Sequence, residues 1–171
     1  LAQANLIDVY GNHAAWLAIA TISTLLGVSI ALSGVIVMPR LWIQPALLVC
    51  AQFIIGPTII LNNTAIAHVI PTPDTLMRGW ERTFGAFKIL ICLEPPTGTS
   101  DGLLMALWTI GLWAATISGM FAISDSRQAP TLYAATISSA FIACALLGSN
   151  QGWHSAFRGA LAMLILTLWE A

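Results

Sequence analysis

The sequence predicts an all-α protein: a polytopic bundle of transmembrane helices, about five spans in all, with one amphipathic helix at the membrane interface. Of its 171 residues, 58% are hydrophobic and only 8% are charged, and the mean hydropathy is +0.85. A soluble domain carries about 25% charged residues, so the composition argues against a free-standing soluble enzyme. The net charge of −1 provides no basic surface for nucleic acid, and the lipid bilayer is the expected partner.

The distribution of charge predicts where the chain crosses the membrane. Four stretches contain no Asp, Glu, Lys or Arg: residues 9–39, 41–73, 102–124 and 128–157. Each is longer than the roughly 20 apolar residues that span a hydrocarbon core of about 30 Å. Because backbone amides in lipid must be hydrogen-bonded within the chain, such stretches form helices.

Four complete spans are expected, and a fifth apolar run is too short to cross. The expected helices cover residues 14–38, 42–61, 103–123 and 132–147, and the short run covers residues 159–169. The chain begins with Leu1 and ends at Glu170-Ala171, where the fifth run should continue. We therefore expect residues 1–171 to be the N-terminal transmembrane domain of a longer protein, truncated at both ends.

Small residues recur at four-residue spacing within the expected spans, which predicts close helix packing. The stripes are Ser23, Gly27 and Ala31 in the first span, Gly111, Ala115 and Gly119 in the third, and Thr136, Ala140, Cys144 and Gly148 in the fourth. Pro57 lacks a backbone N–H and is expected to bend the second span. A bend of this kind can mark a binding cavity in a transporter.

Residues 74–93 form the amphipathic segment. Thr72 is a plausible N-cap and Pro73 suits the first helical position. The predicted apolar face contains Leu76, Trp80, Phe84, Phe87 and Ile91, and the opposite face contains Arg78, Glu81, Arg82, Gly85 and Lys88. Aromatic and basic faces of this kind suit the plane of a membrane interface. A helix that faces water and packs on the bundle is the alternative.

Two basic turns give an orientation. Arg40 and Arg127 stand in the short connections after the first and third spans, and alternation places both on the same side. The positive-inside rule makes that side cytoplasmic. The 62–101 connection is then extracytoplasmic and the protein is a multi-pass protein of the cell membrane, although the basic residues of the amphipathic segment alone would favour the reverse orientation.

The order of these features resembles a known family. The motifs are His13-Ala14-Ala15-Trp16 at the start of the first span, Pro71-Thr72-Pro73 before the amphipathic helix, Pro95-Pro96-Thr97-Gly98-Thr99 after it, and Gly102-Leu103-Leu104 opening the third span. Together they resemble the N-terminal membrane domain of bacterial, actinobacterial-type transglutaminase-like membrane proteins. The likeness covers nearly the whole chain, but the turns carry fewer arginines than the family pattern.

The resemblance implies a multi-pass bundle followed by an extracytoplasmic transglutaminase-like domain of the same chain. Such a domain carries a Cys-His-Asp triad, in which a thiolate attacks an amide carbonyl. None of that domain falls within these residues, so no catalytic residue is transferred to this chain. Residues 1–171 are expected to be a non-catalytic membrane anchor. Whether the longer protein is an enzyme then depends on its downstream domain.

The chain's own candidates for chemistry are sparse. Cys50, Cys92 and Cys144 lack the paired spacing of zinc or redox motifs, and the three histidines share no i, i+4 pairing. We therefore expect no catalytic residue, cofactor or metal site here. A fragment of a small-molecule permease, or a membrane subunit of a transport complex, is the alternative, with a site built around Pro57 and the small-residue stripes.

Overall fold

The computed structural model describes residues 2–11, 13–36, 42–61, 71–92, 102–124 and 128–148, together with 157, 159 and 161. Within these residues, five helices follow a short N-terminal segment, Ala2–Tyr10, which has a 3₁₀ turn and one α-turn. They are α1 (His13–Ile36), α2 (Ile43–Ile60), α3 (Pro73–Cys92), α4 (Leu104–Ile123) and α5 (Ala129–Leu147). The described residues contain no strand.

Four of these helices are long and apolar enough to cross a membrane: α1, α2, α4 and α5. They correspond to the four spans expected from the uncharged stretches, so the all-α transmembrane bundle is confirmed. The prediction of a short fifth run falls on residues 159–169, which lie almost entirely outside the described part of the chain.

The small-residue stripes of the first and third spans face each other, because α1 packs mainly against α4. A methyl group built on Gly27 would stand 2.7 Å from the carbonyl oxygen of Leu112 and 2.8 Å from Cβ of Ala115. One built on Gly119 would stand 2.7 Å from Cβ of Ala31. The predicted close approach of backbones is confirmed for this pair of helices.

The N-terminal segment forms part of the core. Leu6, Val9 and Tyr10 are fully buried, and the segment packs against α4 and α5. The hydroxyl of Tyr10 donates to the carbonyl oxygen of Leu103 at 3.2 Å. The indole N–H of Trp16 donates to the backbone carbonyl of Gln3 at 3.1 Å, which ties the segment to the start of α1.

The expected disturbance at Pro57 takes the form of a π-helical turn. Helix α2 is α-helical over Ile43–Cys50, π-helical over Ala51–Ile55 and α-helical again over Gly56–Ile60. The N–H of Gly56 donates to the carbonyl of Ala51, five residues earlier. Proline cannot donate to the carbonyl four residues before it, and the wider turn carries the chain past that position. Turns of this type are frequent at functional sites.

Candidate functional site

The candidate site is the surface of α3, and the sequence fixes where this helix begins. The hydroxyl of Thr72 accepts a hydrogen bond from the backbone N–H of Thr75 at 3.1 Å, and the carbonyl of Thr72 accepts one from Leu76 at 3.0 Å. Pro73 occupies the first helical position. The predicted N-cap is confirmed, and it stabilises the start of a helix that carries five of the thirteen charged residues of the chain.

Helix α3 has three faces, whereas the sequence interpretation gave it two. The third face consists of buried residues that follow one another at helical spacing: Thr75, Gly79, Thr83, Ala86 and Leu90. These side chains pack against α2 and α4. On a wheel of 3.6 residues per turn, this buried face lies between the charged and aromatic faces. Small residues therefore form much of the surface by which the helix contacts the bundle, and Trp80 and Phe87 of the aromatic face contact it as well.

The closest contact of the buried face is at Gly79. A methyl group built there would overlap Cγ of Pro57 and stand 2.6 Å from its Cβ. Pro57 itself is buried. The ring of Pro57, just after the π-helical turn, therefore packs directly against α3. The helix fills the space beside this proline.

A buried amide joins three helices next to this contact. Gln52, in the π-helical turn, is 1% exposed. Its Nε2 donates to the hydroxyls of Thr109 at 2.9 Å and Thr83 at 3.4 Å, and its Oε1 accepts from the indole N–H of Trp113 at 3.3 Å. An amide has two donor hydrogens and a carbonyl acceptor, and here both groups are used. The network fixes α3 to α2 and α4 by polar contacts as well as packing.

The predicted aromatic face is largely exposed at Trp80 and Phe84. Trp80 is 57% exposed and Phe84 63% exposed. Their rings meet edge to face at 5.7 Å, and Trp80 also lies 4.9 Å from Phe53 of α2. Phe87 is half-buried and packs against the core. Apart from Phe87, these side chains present apolar surface to whatever surrounds the protein.

The charged face is also exposed. Arg78 Nε lies 3.0 Å from Asp74 Oδ2, and the two side chains are 58% and 61% exposed. This is the i, i+4 pair expected from the spacing, and pairs so exposed contribute about 0–1 kcal/mol. Lys88 is exposed, whereas Arg82 is half-buried. Arg78 and Arg82 line the same shallow cleft, so the structure brings these two predicted site residues together.

Several predicted features lie outside the described residues: the Arg40 and Arg127 turns, His68, His154 and the Pro95–Thr99 motif, together with the side chain of His13. Within the described residues, no three Cys, His, Asp or Glu side chains are grouped as a metal site. Cys50 and Cys92 are exposed and Cys144 is buried, and all three are free thiols.

The sequence interpretation missed the residues that hold α3 in place. Gln52 is a long polar side chain in the middle of an uncharged span, where polar groups need a partner. Thr75, Gly79, Thr83, Ala86 and Leu90 recur at intervals of three or four residues, which is the spacing of one helix face. Both signals are present in the sequence, and the stronger contrast between aromatic and charged residues concealed them.

Comparison with known proteins finds no matching protein-family model, no significant match among curated proteins and no significant match among solved structures.

Proposed function

We propose that this chain is the non-catalytic, membrane-anchoring domain of a transglutaminase-like membrane protein, whose catalytic domain lies downstream. The observation that carries the proposal is the fixation of α3. One face of α3 is locked to α2 and α4 through Gly79 and the Gln52 network, while its aromatic and charged faces remain exposed. A rigid helix with two free surfaces of different polarity suits a platform between lipid and a neighbouring domain.

The two exposed faces divide this task. Burying an aromatic side chain in an apolar environment contributes about 1.5–3 kcal/mol, so the face with Trp80 and Phe84 is assigned to lipid. The face with Arg78, Arg82 and Lys88 is assigned to headgroups and to the extracytoplasmic domain. Long-range charge effects there are expected to weaken with salt.

The proposed orientation follows the two basic turns. Arg40 and Arg127 are cytoplasmic and the 62–101 connection, with α3 inside it, is extracytoplasmic. In a background without native cysteines, Arg40→Cys and Arg127→Cys are expected to resist an impermeant maleimide in intact cells, while Thr99→Cys reacts. Reaction at both arginine positions with protection at Thr99 would show the opposite orientation.

The anchoring role is tested in the full-length protein. A photoreactive crosslinker on Arg78→Cys is expected to capture the downstream domain of the same chain, and one on Phe84→Cys is expected to capture lipid. The two positions are six residues apart and point about 120° from one another on α3, so each is a control for the other. Capture of the downstream domain from Phe84 and of lipid from Arg78 would contradict the assignment of faces.

The π-helical turn favours a second candidate, a fragment of a small-molecule permease, because π-turns and broken helices occur where transporters bind substrate. The downstream sequence separates the two candidates. Separate Cys, His and Asp residues in an extracytoplasmic domain support the anchor, whereas further helices in an inverted repeat support the permease.

A further inference from the structure

A cleft of about 390 Å³ lies between the charged face of α3 and the end of α2. Its walls are formed by Leu61, Arg78, Glu81, Arg82 and Gly85. The volume is at the lower end of the roughly 300–1,000 Å³ typical of small-molecule sites.

Gly85 keeps this cleft open. A methyl group built on Gly85 would meet nothing within 4 Å, so packing does not require a glycine there. Glycine in a helix interior is less stable than alanine, and Gly85 lies well inside Pro73–Cys92. A larger side chain at this position would project into the cleft.

Arg82 is held at the cleft by its aliphatic stem. A methyl group built on Gly102, which has a φ of +76°, would stand 3.1 Å from Cδ2 of Leu61 and 3.2 Å from Cγ of Arg82. The stem of Arg82, the end of α2 and the turn before α4 therefore meet at one point. This preorganises the guanidinium, which is suited to a phosphate by its planar fork of donors.

Only one of the charged side chains that line the cleft is paired with an opposite charge among the described residues. Arg78 is paired with Asp74 at 3.0 Å. Among the residues that the structure describes, the side chains of Arg82 and Glu81 have neither a hydrogen bond nor an ion pair. The cleft thus presents one available cation and one available carboxylate on successive residues of α3.

The cleft also lies at the depth of lipid headgroups. Leu61 follows the last residue of one span, α2, and Gly102 precedes the first turn of another, α4. Lipid phosphates lie where the hydrocarbon region ends, so they and the cleft share a level. Neighbouring apolar side chains of the spans can contact acyl chains.

We propose that this cleft binds the phosphoethanolamine headgroup of a membrane phospholipid. Arg82 donates to the phosphate, and Glu81 accepts hydrogen bonds from the primary ammonium group. A headgroup with a second negative charge would repel Glu81, and one with no amine would leave it unpaired. A choline group is also a poor match, because it has no N–H to donate. The inference depends on the membrane location of α3 and not on the transglutaminase-like assignment.

Titration of the delipidated full chain in a neutral detergent tests this proposal. Short-chain phosphatidylethanolamine is expected to raise the melting temperature at about tenfold lower concentration than phosphatidylglycerol or phosphatidylcholine, since recognition of the amine adds a charged hydrogen bond. Water-soluble O-phosphoethanolamine is the second arm. An effect equal to that of the lipid would identify a soluble phosphoamine and overturn the lipid source.

Matched variants separate the cleft from general charge effects. Arg82→Gln and Gly85→Leu are expected to weaken the response to phosphatidylethanolamine about tenfold or more, and Glu81→Gln should abolish the preference over phosphatidylglycerol. Arg127→Gln removes the same charge from the connection that follows α4, whereas Gly102 precedes that helix, and it should change nothing. Arg82→Lys keeps the stem and the charge but lacks the planar fork, so it should weaken binding while the lipid-free melting temperature stays unchanged.

Three further outcomes would overturn the proposal. The first is an equal response of the unmodified chain to all three lipids, or no response to any of them. The second is an Arg127→Gln variant that loses as much affinity as Arg82→Gln. The third is a folded Gly85→Leu variant that binds phosphatidylethanolamine as the unmodified chain does.

Discussion

Gly79 of α3 lies directly against the ring of Pro57 in α2, so closely that a methyl group on the glycine would overlap the proline Cγ. This contact joins two features that look unrelated in the sequence. Pro57 suggested a bend and a binding cavity, and residue 79 lies between the aromatic and charged residues of an amphipathic pattern. In the structure, the proline provides the surface on which the amphipathic helix is seated.

Alanine at two glycines of the same helix should have opposite effects. Gly79→Ala forces α3 away from Pro57, and overpacking of this kind costs about 1–3 kcal/mol. Gly85→Ala meets nothing within 4 Å and should stabilise the protein by about 0.5–1 kcal/mol. Unfolding of both variants in the same mixed micelles measures the difference. Equal effects of the two substitutions would show that α3 does not dock through Gly79.

The Gln52 amide should be energetically coupled to the indole of Trp113. Its Oε1 accepts from the indole N–H at 3.3 Å, and hydrogen bonds between membrane helices contribute about 0.6 kcal/mol, with a maximum near 1.7. A double-mutant cycle with Gln52→Leu and Trp113→Phe measures this term. We expect a coupling energy of that size. Additive effects of the two substitutions would show that the Trp113 indole contributes no coupling energy to the Gln52 network.

Tyr10 should make the protein sensitive to alkali. Burial raises the pKa of the Tyr10 hydroxyl, so the folded state holds this proton more tightly than the unfolded state does. The free energy of unfolding is then insensitive to this group below pH of about 10, the ordinary tyrosine value, and falls as the pH rises above it.

Above that pH the free energy of unfolding is expected to fall by up to about 1.4 kcal/mol per pH unit. Tyr10→Phe should remove this dependence. This variant also loses the hydrogen bond to Leu103, at a cost of about 1 kcal/mol. Tyr133→Phe, at a half-buried position in α5, is the control and should keep the slope. An unchanged alkaline slope in Tyr10→Phe would contradict the burial of the hydroxyl.

The spans, the N-cap and the use of small-residue stripes for close packing in α1 and α4 could be predicted from the sequence, because each depends on local or strongly periodic signals. Absence of charge determines the spans. The stripe at Gly111, Ala115 and Gly119 requires a close partner, and α1 provides one at Gly27 and Ala31. Thr72 precedes a proline at the correct position for a cap.

The attachment of α3 could not be predicted in the same way. The aromatic side chains contribute most to the hydrophobic pattern of the helix, yet the bundle contacts the smaller residues Thr75, Gly79 and Thr83. The choice depends on the shape of the opposing surface, where the ring of Pro57 admits only a glycine. Burial of the N-terminal segment similarly depends on a long-range hydrogen bond from Tyr10 to Leu103.

The central claim is that α3 is locked to the bundle by one face and exposes one face to lipid and one to water. Spin labels at Thr83, Phe84 and Arg78, in nanodiscs and in a cysteine-free background, test it most directly. We expect Phe84 to be accessible to oxygen, Arg78 to a water-soluble nickel chelate, and Thr83 to neither. A chelate-accessible label at Phe84, or an immobile label at Arg78 shielded from both reagents, would contradict the account.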